Sequence, residues 1–219
     1  MSHCCELGAK LDEGQVLYQT DNCFVAPALG PIGVPYLLVM TKDCGSPLGG
    51  RNGIGSMVNG LMDEFVAVHG LTRRVMESFY GTPVIGFEHG PHCGDLHGGG
   101  CLDHAHLHLV ATDDIVDEIE TYLLEHKSPG DTLGVYMPET PRVTYHCLRD
   151  ILLEPETSSL YAESSDGQQH VYRVTFSIPS QFCRQLIAKQ RGCPDDYDWA
   201  LSEGRDKMQQ TYDELVGRF

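Results

Sequence analysis

The chain has 219 residues, 41% of them apolar, and 15 Lys and Arg against 31 Asp and Glu give it a formal net charge of -16. That length suits one ample core, or a core with a smaller partner domain, and the charge repels the backbone of a long nucleic acid while leaving a small anionic ligand open. No run approaches the roughly 18 apolar residues that span a bilayer, so no membrane association is expected. The N-terminal MSHCCELGAKLDEG lacks an apolar signal core, and nine cysteines suit reduced thiols, so a cytoplasmic location is expected.

In chain order, Val16 to Tyr18, Asn22 to Ala26 and Tyr36 to Met40 are β-prone runs separated by turn formers, and they predict a strand meander. Ser46 to Gly55 is a glycine-rich loop. Met57, Leu61, Phe65, Val68, Val75, Met76 and Phe79 step by threes and fours, with a gap at Thr72, and predict a long amphipathic helix. Val84 to Phe87 and His104 to Val110 predict strands, the second with a period of two. Ile115 to Leu124, behind the capping candidates Asp113 and Asp114, predicts another helix.

Loss of periodicity around Ser128 to Pro141 marks an expected boundary. Beyond it, Val143 to Leu153, Ser159 to Ala162 and Val171 to Phe176 predict strands. A basic helix follows, capped by Ser180 and stopped at Gly192, and a last helix covers Glu203 to Val216.

The stretch DHAHLHLV, Asp103 to Val110, carries the chemistry. On a strand, His104, His106 and His108 share one face while Ala105, Leu107 and Leu109 enter a core on the other. Three adjacent imidazoles cannot all be protonated cheaply, so at least one is a free base at neutral pH and suited to nucleophilic work. Just upstream, Gly98, Gly99 and Gly100 let backbone N–H groups approach an anion such as phosphate. A solvated His-rich strand and a transition-metal site built from the three imidazoles are the competing readings.

The pattern His104-Ala105-His106-Leu107-His108-Leu109-Val110 resembles the signature of the histidine triad (HIT) superfamily. The order of elements before it, including GPIGVPYLLVMTK and the long helix, resembles the same family over roughly residues 4 to 127. The segment from Pro179 to Phe182 and the helix after it resembles an extension carried by some microbial HIT proteins. The resemblance implies an α+β fold with an antiparallel sheet and a long packed helix. Residues 1–130 would form the catalytic core, and 131–219 a smaller α+β extension that covers or completes the site.

It also implies reaction at the α-phosphate of a nucleoside phosphate conjugate or dinucleoside polyphosphate. In that reading His106 attacks phosphorus to give a covalent nucleotidyl-histidine, and His108 hydrogen-bonds phosphate oxygens and assists the leaving group. His104 orients the neighbouring loop. A histidine at the third position resembles the hydrolase branches, since the uridylyltransferase branch usually has Gln there.

Cys101 stands where hydrolase members often have Ser or Thr, and a thiol is the weaker donor. Cys44 stands where many members have His, and Cys4-Cys5 where zinc-containing members have two spaced cysteines. A structural zinc on Cys4 or Cys5 with Cys44 is therefore an open reading, beside ordinary thiols, and no cofactor is required for the reaction. Glu88 and His89, at the end of the strand beside the triad, are candidates to reach the substrate. Arg173 and Arg184 are candidate phosphate clamps or partners of surface carboxylates. A nucleotidyltransferase or phosphorylase using an acceptor other than water, and a non-catalytic nucleotide- or metal-binding protein, are the alternatives to a hydrolase. The partner is a small nucleotide in each enzymatic case, and the chain is a homodimer or a monomer.

Overall fold

The computed structural model describes residues 15–42, 53–89, 105–154, 157–199, 201–202 and 204–219. The expected meander is β1 (Tyr18–Gln19), β2 (Cys23–Pro27) and β3 (Tyr36–Thr41). β2 and β3 are buried throughout, which explains their unbroken apolar character: both faces of the sheet are covered. β4 (Val84–His89) and β5 (His106–Ala111) follow, then β6 (Leu133–Tyr136), β7 (Ser158–Glu163) and β8 (Gln169–Val174). They form one eight-stranded antiparallel sheet in the order β1-β2-β3-β5-β4-β7-β8-β6.

Five α-helices accompany the sheet among the described residues, so the fold class is α+β. They are α1 (Asn59–Tyr80), α2 (Val116–His126), α3 (Pro141–Leu153), α4 (Phe182–Gln190) and α5 (Arg205–Leu215). One apolar cluster joins α1, α3 and α5 to Leu37, Val39, Leu107 and Leu109. The other joins α2 and α4 to Phe24, Tyr36, Leu38 and Val110 on the opposite face.

α1 matches the expected long helix, but its buried stripe is Met62, Phe65, Val68, His69, Thr72 and Met76. Thr72 fills the apparent gap because its hydroxyl donates to the Val68 carbonyl at 2.8 Å, which satisfies the polar group inside the core. Phe79 lies outside the stripe and is exposed. Asp114 lies two residues before α2, and its Oδ1 accepts the Val116 N–H at 2.9 Å, while Ile115 holds the cap position itself.

Two local predictions beyond residue 130 fail, the strand at Val143 to Leu153 and the Ser180 cap. Val143 to Leu153 is not a strand but part of α3. Thr140 caps the first turn by accepting the Val143 N–H, Pro141 occupies the first helical position, and Tyr145, Leu148 and Ile151 are buried at intervals of three. The expected boundary at Ser128 to Pro141 contains a strand, β6, at one edge of the sheet. Ser180 is not the cap of α4 either. Gln181 precedes that helix with φ 57°, and its side-chain oxygen faces the Trp199 N–H instead. Gly192, with φ 71°, does follow the helix end.

Chain segments on either side of residue 130 share the sheet and both cores. β7 pairs with the outer edge of β4, from Gly86↔Glu163 to His89↔Leu160. α4 then returns to the turn between β2 and β3. From its C-cap, Arg191 donates to the carbonyls of Ile32 and Ala111, and from its first turns Arg184 donates to Gly30 O at 2.5 Å and Tyr197 O at 2.7 Å.

That turn needs its glycines. Gly30 has φ +56°, and a Cβ there would lie 2.6 Å from the backbone of both Trp199 and Ser202. Gly33 has φ +101°, and its Cβ would meet the Arg191 guanidinium. Gly30→Ala is expected to lower the unfolding free energy by about 1–3 kcal/mol from backbone strain alone, before the collision with residues 199 and 202 is added. Urea denaturation measures this, and an unchanged midpoint and slope would contradict it.

Candidate functional site

β5 alternates as the sequence predicts. Leu107 and Leu109 are fully buried on the α1 side, while His106 and His108 are partly buried on the other face. Antiparallel pairing sets their neighbours. Met40 lies opposite His106, and Leu38 and Phe87 lie opposite His108 from the two flanking strands. The imidazoles therefore sit in a patch otherwise made of Leu38, Met40, Phe87, Val110 and the ring of Tyr36.

Three contacts fix the His108 ring. Phe87 stacks on it with ring centroids 4.6 Å apart and planes 6° from parallel. His106 meets it edge-on at 4.9 Å and 72°. Tyr36 Oη lies 2.8 Å from His108 Nδ1. A ring held by a stack, an edge contact and a hydrogen bond has little rotational freedom left, and the stack alone contributes on the order of 1 kcal/mol. With Nδ1 engaged by Tyr36, Nε2 is the ring nitrogen left open among the described residues.

Burial holds the His108 pKa well below the ordinary histidine value, and a charge on His106, whenever it is protonated, and the Arg184 charge push it the same way. His108 is thus a neutral imidazole at physiological pH. Tyr36 is fully buried, and burial raises its pKa, so it is a neutral phenol beside it.

Arg184 is the third party. It is only 4% exposed, and its Cζ lies 5.3 Å from the centroid of the Tyr36 ring. Among the described residues its side chain meets backbone carbonyls and Tyr36, and no carboxylate pairs with it. It does not join the surface ion pairs that its type usually forms. Arg173 does: it binds Glu154, and it sits on β8, three strands from β5 in the sheet order.

Of the other expected site residues, Glu88 is a correction. Consecutive strand residues face opposite ways, so Glu88 points away from the histidines, into the α1 side, where it accepts the Ile54 N–H at 2.6 Å. It does not reach the face of the imidazoles. His89 shares the face of Phe87, toward the His106 end of β5, and pairs with Leu160 on β7. His104, Gly98, Gly99, Gly100 and Cys101 lie outside the described residues, as do Cys4, Cys5 and Cys44. Among the described residues, no group of three or more His, Cys, Asp or Glu side chains is placed to hold a metal ion. No described helix is long and apolar enough to cross a membrane.

Tyr36 and Phe87 are the neighbours that the local pattern did not announce. Both are visible once β3 and β4 are placed on either side of β5, since each then falls on the histidine face by parity. In comparisons with known proteins, no protein-family model and no curated protein matches the sequence.

Burial pushes the Glu88 pKa up to about 8, against the Ile54 N–H that favours the carboxylate. Its raised pKa means that the folded protein binds a proton that the unfolded chain releases between its ordinary value near 4.5 and 8. Glu88 therefore costs stability as pH rises through that window, by roughly 1.4 kcal/mol per unit at most, and no further above it. Glu88→Gln keeps the acceptor for Ile54 and removes the titration. It is expected to flatten the decline in stability between pH 5 and pH 8, and equal slopes for the two proteins in chemical denaturation would refute the assignment.

Proposed function

We propose that the chain is a nucleotidyl hydrolase of the histidine triad type, acting at the α-phosphate of a nucleoside phosphate conjugate or dinucleoside polyphosphate. The observation that carries the reading is the pairing of His106 with a neighbouring His108 that is neutral and whose Nδ1 is already engaged. One imidazole is then available to attack, and the other has a defined nitrogen to offer an equatorial phosphate oxygen.

In this reaction a nitrogen lone pair of His106 attacks the α-phosphorus, the bond from phosphorus to the leaving oxygen breaks, and the leaving group departs with the electron pair. The phosphohistidine that forms is attacked by water, and the P–N bond breaks. Nucleoside monophosphate is released, His106 regains its lone pair, and the proton lost from water passes to the medium. His108 Nε2–H donates to the phosphate oxygens in both halves. Being neutral at rest, it is better fitted to that donation than to delivering a whole proton, although an anionic phosphate against it raises its proton affinity.

The acidity of the chain does not oppose this reading. Arg184 carries a buried positive charge without a carboxylate partner among the described residues, and it lies close enough to influence His108. An incoming phosphate meets a locally favourable potential inside a molecule of net negative charge.

His106→Asn is expected to abolish turnover while leaving the fold unchanged by circular dichroism. Wild-type protein quenched with an α-phosphate-labelled nucleotide conjugate is expected to carry acid-labile label that this variant lacks. Full activity in the variant would end the proposal. Product analysis with and without inorganic phosphate identifies water as the acceptor, and a phosphorolytic product would replace hydrolase by phosphorylase.

A further inference from the structure

Arg184 invites a functional explanation because its position is expensive. A guanidinium that is 4% exposed has given up nearly all of its hydration, and no carboxylate among the described residues compensates it. Nε donates to Tyr197 O and Nη2 to Gly30 O, so two carbonyls from distant parts of the chain fix its orientation. Those bonds do not explain why a cation stands beside Tyr36, since a neutral side chain could pack there at less cost.

What the guanidinium adjoins is the phenol whose oxygen touches His108. Its charge stands 5.3 Å from the centroid of the Tyr36 ring and acts to lower the proton affinity of the phenol. A guanidinium is a donor at every nitrogen and cannot accept, so the positive phenolic hydrogen turns away from it and toward an acceptor. The acceptor within reach is His108 Nδ1, at 2.8 Å. An imidazole that accepts at Nδ1 carries its hydrogen on Nε2 when neutral.

We propose that Arg184 is a positioning residue that acts on His108 through Tyr36. By standing beside the phenol as a cation that cannot accept, it makes Tyr36 the donor to Nδ1 and so keeps His108 in the Nε2–H form, with that hydrogen turned toward the ligand. The assignment deepens the proposed reaction and rests on it for the identity of the ligand. The tautomer itself is a property of the free protein.

Among the described residues, the groups that face His108 are His106 on its own strand, Tyr36 on β3, Phe87 on β4 and Arg184 on α4. Arg191 and Cys183 act on Tyr36 from α4 and its C-cap. None of them is a carboxylate that would pull the hydrogen to Nδ1.

The test is nitrogen-15 NMR of histidine-labelled full-length protein at neutral pH, without substrate. Because the chain has 11 histidines, His108→Gln identifies the His108 signals by their disappearance. Wild type is expected to show the Nε2–H pattern. Arg184→Met and Tyr36→Phe are each expected to shift His108 toward a mixture of tautomers, and Arg184→Lys, which keeps a cationic donor, to retain more of the wild-type pattern than Arg184→Met does. Tyr36→Phe leaves the carbonyl bonds of Arg184 in place, so it reads the relay even if Arg184→Met does not fold.

With an active substrate, Tyr36→Phe is expected to lower kcat about 10- to 100-fold, as outer partners of a working histidine do, with a much smaller change in KM. A wild-type His108 protonated at Nδ1, or an unchanged tautomer in Tyr36→Phe, overturns the proposal. The reaction is judged separately, by the His106→Asn comparison. The NMR result can stand where that comparison fails, and fail where it stands.

Discussion

Arg184 and Arg191 reach from α4 into the turn between β2 and β3 and take up the carbonyls of Gly30 and Ile32. They are about two helical turns apart and so lie along one side of the helix. Each bond pairs a full charge with a backbone dipole in a water-poor setting, where charge-assisted bonds are strong. This attachment holds α4 over the histidine face, sets Arg184 against Tyr36 and thereby fixes what His108 can offer. Without it Phe87, His106 and Tyr36 would still hold the His108 ring from the sheet, but Arg184 would no longer stand against Tyr36.

The reach of that contact explains what was legible in the sequence. The alternation from His104 to Val110 is local, and the side chains of His106, Leu107, His108 and Leu109 point as it requires. α1 was legible because a stripe spread over 22 residues survives misread positions such as Thr72 and Phe79. α3 was not: Val143, Thr144 and Tyr145 are β-prone, and they outweighed the Thr140-Pro141 start and the spacing of Leu148 and Ile151. β6 was hidden because four residues among glycine and proline make no pattern of their own.

The candidate site divides in the same way. His106 and His108 were readable from eight residues. Tyr36 and Phe87 depend on which strands flank β5 and in what register, and no window along the chain contains that information. Arg184 bonds to a carbonyl 154 positions away, so its burial and its neighbours could not be inferred from its own helix. Glu88 could have been assigned from parity alone. If Phe87 faces the histidines then Glu88 cannot, and a buried carboxyl on the opposite face belongs to the core and its pH dependence.

The outer edge of β4 has a further meaning. In the folded chain β7 occupies it, so the strand that flanks the histidines presents no open backbone to a neighbouring molecule. A proteolytic nick near residue 130 followed by loss of the later segment would bare that edge, together with the apolar face that α4 covers, and unpaired edges of this sort seed aggregation. The segment after residue 130 therefore also acts as a solubility guard for the strands before it, and that duty constrains its sequence whether or not the chain turns over a substrate.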